Sequence, residues 1–155
     1  MNLQLILHLL LEFILADVAT ICFGILMNIP HKAYLPGGII GGAVWVLYIL
    51  MYYHLHLGLA MSNLLSAIAI SVLSLMAARR FRLPMIIFNV PALVSFVPGG
   101  QSYQVVRNFV SGNYGTAMSY LYQVIVIAGA ITLGFGLGDV INAALHYRPK
   151  KWKNR

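Results

Sequence analysis

"NVPALVSFVPGGQSYQVV", Asn89 to Val106, sets two prolines and a Gly-Gly pair inside a chain that otherwise reads as membrane hydrocarbon. In lipid every backbone N–H and C=O must be hydrogen-bonded, so irregular backbone is tolerated only inside protein or around a watery cavity. The stretch therefore predicts an internal, broken segment. After Pro98, Gly99 and Gly100 a helix can restart near Gln101, with its free N–H groups and positive dipole end facing whatever lies at the break. Discontinuous transporter helices hold carboxylates in this way. A plain turn followed by a surface helix is the alternative that the same residues allow.

The surrounding composition fixes the class. With 61% hydrophobic and 8% charged residues in 155 and a mean hydropathy of +0.85, the chain has too little polar surface to cover a soluble domain. It reads as an all-α integral membrane protein. The single cysteine, Cys22, excludes an internal disulfide framework and reads as a buried thiol. The amino terminus lacks a basic n-region, and its apolar run is longer than a signal peptide's, so it is expected to remain as a spanning helix.

Polar interruptions divide the chain into about five transmembrane helices forming one domain. A hydrocarbon core of about 30 Å takes about 20 helical residues. The first span is 3–29, ended by "PHKAYLP" because proline cannot continue a helix. The others are 37–53, 57–78, a short fourth at 83–97 carrying Pro91, and a long unbroken fifth at 115–144. A basic, aromatic tail, 146–155, follows. Five crossings put Lys32, "RRFR" (Arg79 to Arg82) and the tail on one side, expected to be the cytoplasm, with the N-terminus outside. A re-entrant fourth segment would reverse the side of the tail. The net charge of +7 is thus a topological signal and an attraction to anionic lipid, with no basic stripe of the kind that binds nucleic acid.

The chain has three acids, Glu12, Asp17 and Asp139, and an ionisable group at membrane depth needs a partner or a wet cavity. Asp17, Thr20, Gly24 and Asn28 fall on one narrow stripe of the first helix, suited to a substrate path or proton relay, or else to hydrogen bonds with neighbouring helices. The path is the expectation. His8 and Glu12, at i and i+4, read as a pair at headgroup level. Asp139, beside "GFGLG", suits close helix packing with a polar partner as well as it suits a functional role. Ser62, Asn63, Ser66, Ser71 and Ser74 on the third span read as interhelical glue. Gly37, Gly38, Gly41 and Gly42, and Gly134 with Gly138, allow backbones to approach closely.

Several tempting motifs lead nowhere. "GFGLGD" has no preceding strand, so it is not a nucleotide fingerprint. "HLH", His54 to His56, has no neighbouring cysteine or acid to complete a metal site. No HExxH, GxSxG or Cys/His arrangement supplies a catalytic set, and no cofactor is expected. "NIPHKAYLPGG" from Asn28 faintly echoes "NVPALVSFVPGG" from Asn89.

The first helix leaving through "NIP", the basic residues before a short apolar stretch, "VPGGQSYQVV", and a glycine-rich last helix with a basic tail together resemble the threonine/serine exporter family. Nearly the whole chain shares the likeness, and Pro98, Gly99 and Tyr103 carry its most specific part. The chain is similar to the small subunit of the two-polypeptide type, equivalent to the C-terminal part of the fused exporter. That resemblance implies a larger exporter-family membrane partner, a homo- or hetero-oligomer in the plasma membrane, and export of small carboxylate-bearing metabolites driven by the proton motive force. Threonine and serine are the expected substrates, with succinate or another dicarboxylate, or a scaffold that does not transport, as alternatives. The residues expected along the path are Asp17, Asn28, Pro91, Pro98, Gly99, Gly100, Tyr103 and Asp139. Arg107 and the role of Asp17 rest on the physical reading alone.

Overall fold

The structure, a computed structural model, describes residues 3–145; the basic tail lies outside the described residues. Six α-helices follow one another: α1 Leu3–Leu26, α2 Tyr34–Ile49, α3 Gly58–Phe81, α4 Ile86–Ala92, α5 Gly99–Val110 and α6 Tyr114–Leu145. A 3₁₀ turn, His31–Ala33, leads into α2, and a π-helical turn, Leu50–His54, extends it. No strand occurs among the described residues. The chain is an all-α membrane protein, with four stretches long and apolar enough to cross a bilayer: Leu3–Leu26, His31–His54, Gly58–Phe81 and Tyr114–Ala144.

Local chemistry explains where the helices differ from expectation. The first ends at Leu26 and not at residue 29, because Asn28 adopts a left-handed φ of 54°, a conformation asparagine tolerates at helix ends. Asn28 is therefore off the helix and exposed, and does not extend the stripe of Asp17. The second helix starts before Pro36, whose missing N–H costs nothing in a first turn that has no intrahelical acceptors. The third runs on to Phe81, with Arg79 and Arg80 favourably placed in its negative last turn. Cys22 is exposed on α1 and is not the buried thiol expected.

Two close helix pairs organise the bundle. Along α1 and α2, Gly38 meets Asp17 and Ile21, Gly42 meets Phe13, and Trp45 meets Glu12, so the helices are antiparallel. Along α3 and α6, Gly134 meets Leu64 and Ala67, Gly138 meets Ser71, and Asn142 also reaches Ser71. Those numbers rise together, so α3 and α6 are parallel. Residues 82–113 must then return the chain to the end of the bundle where α3 begins. They do so in pieces. α4 has 7 residues and α5 has 12, about 10 Å and 18 Å of helix, neither enough alone to span about 30 Å.

The break is internal. Pro91 lies inside α4 and has no N–H to bond the turn behind it, yet Leu93 N–H still donates to Asn89 C=O at 3.1 Å; only after Ala92 does the chain pass into turns, with Phe96 N–H donating to Leu93 C=O at 2.8 Å. Phe88, Ala92 and Phe96 from this segment join Ala33, Ile40, Val44, Ile70 and Ala78 in the apolar core. Phe88, Pro91, Ala92 and Phe96 are buried against protein, while Leu93, Val94, Ser95 and Val97 stay partly open, so the irregular backbone sits between packed core and open space. Because α3 and α6 are parallel, the last helix ends at the same end of the bundle as Arg79, Arg80 and Arg82.

Candidate functional site

Two neighbouring rows on α1 do different things. Phe13, Asp17 and Thr20 point at α2, where Cβ atoms added to Gly42, Gly38 and Gly41 would strike their atoms. Thr20 Oγ1 donates to the Ala16 carbonyl at 2.8 Å. This row is a packing seam. About 100° round the helix, one residue step, lies the row of His8, Glu12, Ala16, Ala19 and Phe23. It faces open space.

Three separate hollows open along it. At the level of Phe23 a cavity of about 430 Å³ is walled by Val90, Leu93, Val94, Val97 and Gly99 of the broken segment and the start of α5. A second, about 240 Å³, lies between Glu12, Ala16, Ala19, Trp45 and Ser95. The third, about 560 Å³, is bounded by His8, Glu12, Trp45, Tyr48, Tyr53 and His54. Glu12 and Trp45 border both of the last two. Only the first is almost wholly apolar in its lining residues.

Glu12 is fixed at this junction. Trp45 Nε1–H donates to Glu12 Oε2 at 2.9 Å, and His8 Nε2 lies 3.9 Å from Oε1. The indole is held in turn by Tyr48, stacked at 5.3 Å between ring centroids, and by Phe96, edge-on at 5.4 Å. Phe96 brings the broken segment's turn against the same rings. The break thus shapes the wall beside Glu12 through Phe96 and Ser95.

The other expected residues do not converge. Asp17 packs on Gly38, and Pro91 is buried within the segment beside Gly24. Pro98 precedes α5, and the Gly99 N–H is already donated to Val97 C=O at 2.7 Å. Gly99 and Gly100 are exposed, with nothing within 4 Å of an added Cβ. Tyr103 is 64% exposed. Asp139 lies at the α3–α6 pair, where Ser71 Oγ donates to its Oδ1 at 3.3 Å and Asn142 Nδ2 donates to Ser71 Oγ at 3.3 Å. Among the described residues no group of three His, Cys, Asp or Glu side chains is arranged to hold a metal.

The sequence pairs Glu12 with His8, a pair the structure keeps at 3.9 Å, but gives no place to Trp45 and Ser95, which come to Glu12 from elements far off in sequence. The signal for the row is that Glu12, about 13 Å along the axis from Leu3, shares it with the small residues Ala16 and Ala19.

A polar junction strung between cavities inside a membrane bundle fits a solute path, and comparison supplies the family. The family described as "Threonine/Serine exporter, ThrE" matches residues 12–141. The chain belongs to the threonine/serine exporter family. Its members are transporters, and the exporter's matched region contains Glu12, the break and all but the last turn of α6. No curated protein and no solved structure matches the chain.

Proposed function

We propose that this exporter-family chain is the small membrane subunit of a secondary exporter of threonine or serine, working with a larger membrane partner. The observation that carries the reading is the set of three cavities along the Phe23, Ala19, Ala16, Glu12 and His8 row, the first walled by the broken segment, the second touched by its Ser95 and the third bounded by α2 and the turn after it. A carboxylate at membrane depth beside open volume is the arrangement expected of a path. Glu12 is its polar centre, with Ser95 and the Trp45 indole beside it. Asp17 serves the α1–α2 contact and Asp139 the α3–α6 contact, and neither lines the three cavities.

The orientation follows from charge. Lys32, between α1 and α2, and Arg79, Arg80 and Arg82, after α3, share one end of the bundle, and the basic side is cytoplasmic. The N-terminal end and the 560 Å³ cavity then face outward across the plasma membrane.

The test is release of solute from cells that express this chain with its larger partner, the partner alone, or neither. Threonine and serine, loaded as dipeptides, should leave faster only when both subunits are present. Release of succinate alone would replace the substrate, and release of nothing would leave a scaffold.

A further inference from the structure

The 560 Å³ cavity has an asymmetric chemistry. Its volume lies within the roughly 300–1,000 Å³ range of small-molecule sites, and among the described residues Glu12 is the one carboxylate on its wall. No lysine or arginine among the described residues lines it. Glu12 Oε2 already accepts the Trp45 N–H, whereas Oε1 has His8 at 3.9 Å, beyond hydrogen-bonding distance. One carboxylate oxygen is thus held in place and the other keeps acceptor capacity. The side chain is 28% exposed, so a ligand can reach it. Around it stand the rings of Trp45, Tyr48 and Tyr53, with Trp45 and Tyr48 stacked 23° from parallel. Aromatic faces attract organic cations, and more strongly when water is excluded.

We infer that this cavity receives the ammonium group of an amino acid, with Glu12 Oε1 as its anionic acceptor and the Trp45–Tyr48 pair as its aromatic wall. The inference rests on the export reading above and names the selectivity of its outward cavity: a zwitterion is accepted, a dicarboxylate repelled. Two carboxylates would meet a third with no lysine or arginine to offset it, whereas an ammonium group meets its complement. Among the described residues, His8 and His54 are the other titratable nitrogens on this wall.

Trp45 is itself the reporter. The other tryptophan, Trp152, lies in the tail, so Trp152→Phe leaves a single indole bonded to the residue under test. The full chain, purified in detergent on that background, is titrated with threonine, 1-amino-2-propanol, 3-hydroxybutyrate and succinate while indole fluorescence is followed. Threonine and 1-amino-2-propanol should change the emission saturably; 3-hydroxybutyrate and succinate should not. Glu12→Gln keeps an oxygen to accept the Trp45 N–H and removes the charge, and should weaken both amine responses about tenfold or more, the scale of a lost charge-assisted hydrogen bond. Glu12→Asp should keep the preference for amines, and the double variant His8→Gln, His54→Gln should keep the response.

Equal responses to the amines and to 3-hydroxybutyrate would overturn the inference. So would a response that survives Glu12→Gln but vanishes in the double histidine variant, since imidazoles would then be holding a carboxylate. Cell export separates this from the wider reading. Normal threonine export by Glu12→Gln sinks the inference and leaves the exporter standing, whereas saturable amine binding by a chain whose cells release neither threonine nor serine sinks the exporter reading alone.

Discussion

The α1–α2 and α3–α6 pairs are built from the same parts and end differently. Each has glycines that bring the helices together and an acid close to the contact. At α3–α6 the parts close up: Gly134 lies under the Leu64 carbonyl, Gly138 under Ser71, and Asp139, Ser71 and Asn142 hydrogen-bond in sequence. At α1–α2 the glycines seal only one row, and the neighbouring row is left beside open space, against the broken segment at one end and the aromatic end of α2 at the other. Small-xxx-small spacing specifies proximity. What lies one residue step away decides whether proximity makes a seam or a cavity.

The largest effect that bears on this contrast is steric. A Cβ on Gly134 would stand 2.6 Å from the Leu64 carbonyl oxygen and 2.6 Å from the Ala67 Cβ, whereas one on Gly136 of the same helix meets nothing within 4 Å. Gly134→Val should cost about 1–3 kcal/mol or more through overpacking, and Gly136→Val should be close to neutral. Thermal unfolding in detergent followed by circular dichroism compares them. Equal melting temperatures would mean that the seam yields, and the contrast with α1–α2 would dissolve.

Next come the three acids. Glu12→Gln is expected to cut threonine export about tenfold with unchanged melting, as the loss of one charge-assisted contact worth about 1.5–3 kcal/mol. Asp17→Asn, one row away and packed on Gly38, should impair export less. Asp139→Asn retains an oxygen for the Ser71 hydroxyl and should lower stability by no more than about 0.5–1.5 kcal/mol, an effect read in melting rather than in solute release. Initial efflux rates normalised to membrane abundance give the order. If Asp17→Asn abolished export while Glu12→Gln spared it, the path would lie on the seam.

Fold and site were legible to different depths. Span length, hydropathy and the prolines are local properties, and they placed four long helices and an internal break to within a few residues. Asp17 and its stripe are legible in the sequence as the polar row of the first helix, but a polar row on a helix says nothing about which neighbour it faces. That is set by Gly38, Gly41 and Gly42 on α2, and by the direction of the chain after Arg82. Glu12 acquires its surroundings from Trp45 and Ser95, far off in sequence. Pairings of that kind emerge only when the helices are assembled.

The smallest expected effect concerns the second Pro-Gly-Gly run. Pro36-Gly37-Gly38 and Pro98-Gly99-Gly100 both sit at helix starts, but Gly38 is buried against α1 whereas Gly100 is exposed with nothing within 4 Å of an added Cβ. Gly100 also lacks the positive φ found at Gly58 and Gly112, so alanine fits its backbone. Gly100→Ala should therefore be neutral or stabilise by up to about 1 kcal/mol, the difference in helix propensity, with export unchanged, while Gly38→Ala drives its methyl into Asp17 and Ile21 and lowers the melting temperature. The same two substitutions in the presence of the larger partner sharpen the comparison. If Gly100→Ala lost export or partner binding there while remaining stable alone, the glycine would be holding room for another chain or for the substrate at the mouth of α5, and the break would be part of the path after all.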